Sequence, residues 1–365
     1  MKKMGAHIWL VGLVIIILIS WSCSKEQLDK TITTPMVEQA KVDKTSDTPG
    51  LKKDHTYKIE NCGLRYTGIP ALDDSCTLTD FAVILFGYIN SLVSDPDYQP
   101  ALTQYYAELN KKYAVHYRGD NYFGKDGEYD QLAKKRWREL NAFWDLKKEI
   151  TLNAQHTISL DNRETLAAMI ESFDPLVRNR EEAYAKADAL IAYNSSSPNY
   201  PENPFFALEA FTLRNGLLVI GDGLLQTLVE TGIDEKVAFT AVISHEWWHQ
   251  VHYEYEDKWN LELENQAARS RYLELEADFA AAYFMAHKRG ATFNWKLIEQ
   301  YFTLSFNVGD CFIQSNQHHG TPEQRYMAAK YGYKLADNSK KKGFILSPEQ
   351  VHKEFLKLYP VLIAM

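Results

Sequence analysis

The segment His245-Glu246-Trp247-Trp248-His249 constrains the fold of this chain more than any other feature. Side chains four residues apart lie on one face of a helix, so this spacing predicts a helix that presents both imidazoles to one point. Val237 and Ala241 fall on the same stripe as His245, which predicts that this face is buried. Because a buried imidazole pair without a partner is costly, the pattern favours a shared metal ion over histidines scattered on a solvated helix.

Zinc is the ion that these donors indicate, because imidazole is a common zinc ligand and catalytic zinc sites leave a fourth position for water. Glu246 is turned about 100° around the helix from His245. It is therefore poorly placed to complete the ligand set and well placed to take a proton from a water molecule. We predict one zinc ion per chain, held in part by His245 and His249, with Glu246 as the general base.

A second acidic pattern, Glu274-Leu275-Glu276-Ala277-Asp278, offers the remaining ligand. Glu274 and Asp278 share one helical face, where two like charges destabilise an exposed helix. The neighbouring residues are mostly apolar, so both carboxylates need cations or hydrogen-bond donors. We predict that Glu274 is the third zinc ligand and that Asp278 accepts the free ring N–H of a ligand histidine, while Glu276 is structural. The alternative is an acidic turn without function in an alanine-rich core helix.

These motifs resemble the gluzincin-type zincin peptidases, and most closely the neutral zinc metallopeptidases and the CAAX-protease-like peptidases. The resemblance covers residues 200–335, through Asn215–Leu225, the two metal motifs and the turn His319–Arg325. It implies a zincin-like domain that hydrolyses peptide bonds, in which His319 donates a hydrogen bond to the oxyanion of the tetrahedral intermediate. The alternative makes His319 a loop residue and Arg325 a structural ion-pair partner.

Trp248 departs from the pattern of these families, which commonly have glycine or another small residue at its position. It lies about 60° around the helix from His245, so the indole must fit near the site. Trp248 therefore either walls a substrate pocket or marks a spread-out site with altered activity. Trp247, on the far side of the helix, is expected in the core.

The first residues predict a targeting signal. Lys2 and Lys3 precede the apolar run Ile8–Ile19, which is short for a membrane span, and Cys23 follows small residues. This arrangement resembles a bacterial lipoprotein leader, with residues 1–22 as signal peptide and Cys23 as the acylated N-terminus. An ordinary cleaved leader or an uncleaved anchor are the alternatives. The resemblance implies a lipoprotein of the bacterial cell envelope, attached to the membrane by its lipid.

The charge of the chain limits the kinds of partner it can bind, and its cysteines bear on the redox state of its compartment. The formal charge is −8, and no basic cluster occurs, which argues against nucleic acid as a partner. In an oxidising compartment, Cys62 and Cys76 are close enough in sequence for a disulfide, although spacing alone does not establish one. Cys311 would then remain single, as a small buried apolar group.

The chain divides by composition into a tether and two folded segments. Residues 23–56 are polar and without periodicity, which predicts a disordered tether. Residues 57–200 have helical patterns and predict an accessory subdomain, which could be a removable inhibitory segment. Residues 201–365 predict the zincin-like metallopeptidase domain, so the fold class is α+β and mostly helical, with a small sheet. Its strand Leu217–Ile220 could bind an extended peptide by edge pairing.

The sequence thus predicts an envelope zinc metallopeptidase that acts on a peptide or protein substrate. One rival is a zinc hydrolase of a non-peptide amide, such as a cell-wall amide, which shares the metal chemistry. The other is a non-catalytic envelope lipoprotein with a structural zinc site. Glu246 speaks against this second rival, because a purely structural site has no need of a carboxylate that is not a ligand.

Overall fold

The structure is a computed structural model that describes residues 78–259, 262–313, 315–339 and 343–365. Within these ranges the chain is mostly helical, with one small sheet, in agreement with the predicted α+β class. The helices are α1 (Asp80–Val93), α2 (Pro100–His116), α3 (Asp130–Trp144), α4 (Arg163–Phe173), α5 (Arg180–Ser196), α6 (Asp222–Glu230), α7 (Glu235–Tyr255), α8 (Gln266–Ala286), α9 (Trp295–Asn307), α10 (Pro322–Ser339) and α11 (Pro348–Ile363). The strands are β1 (Thr151–Gln155), β2 (Ala210–Thr212) and β3 (Leu217–Gly221).

The sheet has three strands in the order β1-β3-β2. β1 pairs with β3 in parallel from Thr151 opposite Leu217, and β2 pairs with β3 antiparallel. All five residues of β3 are buried. Because both edges of β3 are occupied, the expectation that Leu217–Ile220 binds a peptide by edge pairing is wrong.

Two large buried clusters of apolar side chains, and a small third one between α2, β2 and β3, hold the fold together. The first surrounds α7 and α8 and includes Phe143 and Trp144 of α3 as well as residues of β1 and β3. The second joins α1, α2, α4 and α5, and it also takes in Phe312 from the loop after α9. The described part of segment 57–200, which begins at residue 78, therefore contributes to both clusters, and its strand β1 belongs to the sheet of the C-terminal segment.

The helices that matter for the site begin at identifiable caps. Asp234 caps α7 by accepting the backbone N–H of Lys236 at 2.9 Å, and Asn265 caps α8 by accepting that of Ala268 at 2.9 Å. α8 is buried on all sides along its second half, which makes it the central helix of the domain. Gly332 lets α10 approach it closely, since an added Cβ would lie 1.9 Å from the carbonyl oxygen of Phe279.

Several boundaries that the sequence predicts differ from the structure. Asp161 followed by Glu164 predicts a capping box, but Asn162 caps α4, because its side chain accepts the N–H of Thr165. Asp174-Pro175 predicts the start of a further helix, which begins only at Arg180, since Asn179 provides the cap there. The pattern of Phe205–Thr212 predicts a strand, of which only β2 forms, because a 3₁₀ turn occupies Pro204–Ala207.

Gly221-Asp222-Gly223 predicts a turn after a strand, but it is the junction at which β3 runs directly into α6. β1 was not expected in the helical N-terminal segment. No helix in the described ranges is both long and apolar enough to cross a membrane. The expected signal peptide, the tether with Cys23, and the pair Cys62 and Cys76 lie outside the described residues.

Candidate metal centre

The two motif histidines face a glutamate of the neighbouring helix. The Nε2 atoms of His245 and His249 on α7 lie 3.2 Å apart. On α8, Glu274 places one carboxylate oxygen 3.1 Å from Nε2 of His245 and the other 3.3 Å from Nε2 of His249. Donors at about 2.0–2.1 Å from a tetrahedral zinc ion are about 3.3 Å apart, so this spacing fits such an ion. These three residues could hold a metal ion.

The electrostatics of the three residues favour a positive charge between them. Glu274 is 1% exposed. Burial opposes the charged form of His245, but the carboxylates of Glu274 and Asp278 outweigh it and raise the pKa of His245 to about 10. Burial likewise opposes ionisation of Glu274, yet the neighbouring histidines hold its pKa well below the usual value. The pocket therefore attracts cations, whether protons or a metal ion.

Asp278 and Arg325 fix the orientation of the first histidine. Asp278 Oδ1 lies 3.0 Å from Nδ1 of His245, so the ring N–H points at the carboxylate and Nε2 is turned toward Glu274. Arg325 of α10 holds Asp278 from the other side with two hydrogen bonds, of 2.7 Å from Nε and 2.9 Å from a terminal nitrogen. Asp278 therefore contacts the candidate ligand His245, as the sequence predicts. Arg325 is the ion-pair partner of Asp278.

Glu246 lies beside the three candidate ligands but outside their group. It is 4% exposed, and its Oε2 atom has no hydrogen-bond partner within the described residues. Burial raises the pKa of Glu246, and the nearby histidines and Arg325 offset part of that effect. A buried carboxylate oxygen without a donor is costly, so this position suits a group that brings a hydrogen-bond donor or a cation to Glu246.

His319 comes to the site on the loop between α9 and α10. Its Nε2 atom has no hydrogen-bond partner among the described residues, and burial lowers the pKa of the ring, which favours the neutral form. Asp310 organises this loop: its carboxylate accepts the ring Nδ1–H of His318 at 2.7 Å and the backbone N–H of His319 at 2.6 Å. Sequence reasoning missed Asp310, because an aspartate in a loop shows no periodicity that would place it.

A cavity of about 180 Å³ joins these groups and has largely apolar walls. Glu246, His319, His245 and Glu274 line it on one side. Most of the remaining lining is aliphatic or aromatic, from α1, α6, α7, α9 and the loop that follows: Phe81, Leu85, Phe86, Leu224, Leu228, Val242, Leu304 and Phe312. The N-terminal helix α1 therefore forms one wall of the site.

Trp248 does not line this cavity. Its side chain is fully buried, with the ring 4.8 Å from that of Trp144 and 6.1 Å from that of Trp259. The alternative in which Trp248 walls a substrate pocket is therefore wrong, because the indole turns into the core behind the histidines. Trp247 is also fully buried, as expected.

Cys311 differs from its expected state. It lies in the loop that carries Asp310, and it is disulfide-bonded. Its partner lies outside the described residues. The expectation of a single buried thiol is wrong, because sequence spacing does not reveal which cysteines meet in space.

Comparisons of this chain with protein-family models, with curated proteins and with solved structures give no match. The functional argument therefore depends on the residues and geometry of the site.

Proposed function

We propose that this chain is a zinc-dependent metallopeptidase of the bacterial cell envelope. The observation that carries the proposal is the convergence of three ligand atoms, from His245, His249 and Glu274, next to Glu246, whose Oε2 atom has no hydrogen-bond partner among the described residues. A site that holds zinc for structure alone usually closes the fourth position with another protein ligand. Here the group beside the ligands is a general-base candidate that faces a cavity.

Each residue of the site has a separate role in the proposed hydrolysis of an amide bond. A zinc ion held by the three ligands would supply a Lewis acid, which makes water a better nucleophile and polarises a carbonyl group. Glu246 takes the proton of the attacking water and delivers it to the leaving amine. His319, with its ring proton on Nε2, donates a hydrogen bond to the oxygen that becomes negative as the carbonyl is attacked. Asp310 holds the loop that keeps His319 in place.

The apolar cavity indicates the kind of substrate. Aromatic and aliphatic side chains surround the groups that would perform the chemistry. Burying an apolar side chain there releases about 25 cal/mol for each Å² removed from water, whereas a charged side chain would lose its hydration. We therefore expect cleavage of peptides next to an apolar residue, and the cell-wall amide remains the alternative substrate.

The decisive experiment compares Glu246→Gln with Glu274→Gln in the same preparations. Glu246→Gln keeps the size of the side chain and removes the proton acceptor, so hydrolysis of a peptide library should fall by about 10²–10⁴-fold while zinc content stays near one per chain. Glu274→Gln removes a charged ligand, so zinc content itself should fall. Zinc is measured by metal analysis and hydrolysis by mass spectrometry of the digest.

Two results would contradict the proposal. Unchanged hydrolysis in Glu246→Gln removes the assigned base. A parent protein that binds zinc and cleaves neither peptides nor peptidoglycan favours the non-catalytic lipoprotein.

The envelope location depends on the leader resemblance at Cys23. Cys23→Ala should abolish incorporation of a labelled fatty acid and release the protein from the membrane fraction. Label and membrane attachment that survive this substitution would indicate an uncleaved anchor instead.

A further inference from the structure

A second cluster of buried polar groups lies behind the metal centre, on the side away from the cavity. Glu276 of α8 is fully buried, and its carboxylate is flanked by two histidines. Its Oε2 atom lies 3.2 Å from Nε2 of His252 on α7, and its Oε1 atom lies 2.8 Å from Nδ1 of His352 on α11. The ring of Trp259 stacks on His352 at 4.0 Å and covers that end of the cluster.

This cluster touches the candidate ligand His249. The Nδ1 atom of His249 lies 3.3 Å from the Nδ1 atom of His252. His249 thus has one ring nitrogen toward Glu274 and the other toward a histidine, whereas His245 has its second nitrogen toward the carboxylate of Asp278. The two ligands are oriented by partners of different chemistry.

The hydrogen-bond roles in the cluster follow from the carboxylate. An ionised glutamate only accepts hydrogen bonds, so His252 must carry a proton on Nε2 to donate to Glu276. In the neutral ring of His252, Nδ1 is then an acceptor. This Nδ1 atom of His252 can accept a hydrogen bond from His249 only if His249 carries its proton on Nδ1. The lone pair of His249 is then on Nε2, the atom that faces Glu274 and His245.

We propose that Glu276, acting through His252, is a positioning group that selects the metal-binding tautomer of His249. This inference rests on the metal centre of the proposed function and is independent of catalysis. It gives Glu276 a role beyond the structural one expected from the sequence. It also makes the C-terminal helix part of the metal centre, because His352 supplies the second donor to Glu276.

The first test measures zinc affinity by competition with a chromophoric chelator in full-length variants. His252→Leu removes the acceptor for His249, and zinc affinity should fall by about 10–100-fold, as for other groups that orient metal ligands. His252→Gln should regain most of that loss, because its side-chain oxygen can accept the Nδ1–H of His249. Thermal unfolding of the zinc-free variants reports separately on any change in packing.

A matched control is His287→Leu. His287 is also a fully buried histidine with a hydrogen-bonding ring, which lies 3.3 Å from the carbonyl oxygen of Phe344. His287 lies 13 residues after Glu274, just beyond the end of the same helix. At 1.5 Å per residue, the two residues are about 20 Å apart along the helix axis. His287→Leu should lower the unfolding temperature and leave zinc affinity unchanged.

The second test asks whether Glu276 acts through His252. Glu276→Met should reduce zinc affinity by a similar factor, and it should add no further loss to His252→Leu, because residues that act in series are not additive. Losses that add would show that Glu276 acts independently and would overturn the proposal. So would a His252→Leu protein that binds zinc as tightly as the parent. A parent chain that binds no zinc overturns the proposed function and this inference together.

Discussion

At the scale of single residues, we expect the pair of Asp278 and Arg325 to affect both zinc affinity and the stability of the fold, and mutation can separate these two effects. Asp278→Asn weakens the acceptor for His245, so zinc affinity should fall by about 10–100-fold. It also removes the carboxylate that accepts two hydrogen bonds from Arg325, which is 5% exposed, and leaves Glu274, at 3.6 Å, as the charged partner of the guanidinium. Leaving a buried charge without any partner costs about 3–5 kcal/mol. Because Glu274 still pairs with Arg325, we expect the zinc-free protein to be destabilised by less than this.

The double variant Asp278→Asn with Arg325→Met should recover part of the stability, because the buried guanidinium that lost Asp278 is removed as well. Zinc affinity should stay low, since the acceptor for His245 is still weakened. Chemical denaturation of the zinc-free proteins and chelator competition measure the two quantities. Recovery of zinc affinity in the double variant would show that Asp278 acts on packing alone.

The residues that could be predicted from the sequence are those linked by helical spacing. His245 with His249, and Glu274 with Asp278, each share a face because they lie four residues apart on one helix. Asp310, His352 and the disulfide of Cys311 could not be predicted in this way. Their partners are brought near by the packing of loops and helices, which a local pattern does not contain.

At the scale of elements, the contact of α8 with α10 depends on Gly332. Replacing an exposed glycine in a helix by alanine usually stabilises a protein by up to about 1 kcal/mol. At Gly332 the added Cβ would lie 1.9 Å from the backbone oxygen of Phe279, so the helices would have to separate. Gly332→Ala should therefore destabilise the protein and weaken zinc binding, because α8 carries Glu274 and α10 carries Arg325.

Gly87→Ala in α1 is the matched control. Gly87 is also inside a helix, but nothing lies within 4 Å of an added Cβ there. This variant should be slightly more stable than the parent and should bind zinc equally well. Thermal unfolding of both variants gives the comparison, and stabilisation by Gly332→Ala would contradict the close approach of the two helices.

The apolar run from Phe81 to Val93 and the pattern from Tyr129 to Leu146 predict helices that match α1 and α3 closely, and Asp234 predicts the cap at which α7 begins. β1 was missed, because a strand of five residues in a largely helical segment has little signal of its own. Its partner in the parallel pair is β3, more than 60 residues further along the chain. Such pairing is decided by the tertiary fold, and so was the central position of β3 in the sheet.

At the scale of the whole molecule, the chain passes back and forth between the two large apolar clusters. Helices α1 and α2 belong to the second cluster, α3 and β1 to the first cluster around α7 and α8, and α4 and α5 to the second cluster again. The boundary predicted between residues 200 and 201 therefore separates side chains that are packed together. The division into two domains stays a prediction, and a truncated chain tests it.

We expect that a chain of residues 201–365 does not fold on its own. It would lack β1, which covers one edge of β3, and α3, whose Phe143 and Trp144 are almost fully buried against the helices of the site. An aromatic side chain buries about 150–250 Å², worth roughly 4–6 kcal/mol at 25 cal/mol per Å². Losing two of them removes an amount similar to the total stability of a typical domain, about 5–15 kcal/mol. The experiment compares residues 201–365 with residues 78–365 by circular dichroism, thermal unfolding and zinc competition.

The contrary result is a shorter chain that unfolds cooperatively and binds zinc as tightly as the longer chain. It would show that the metal centre belongs to an independent C-terminal domain, to whose stability the packing of α3 and β1 contributes little.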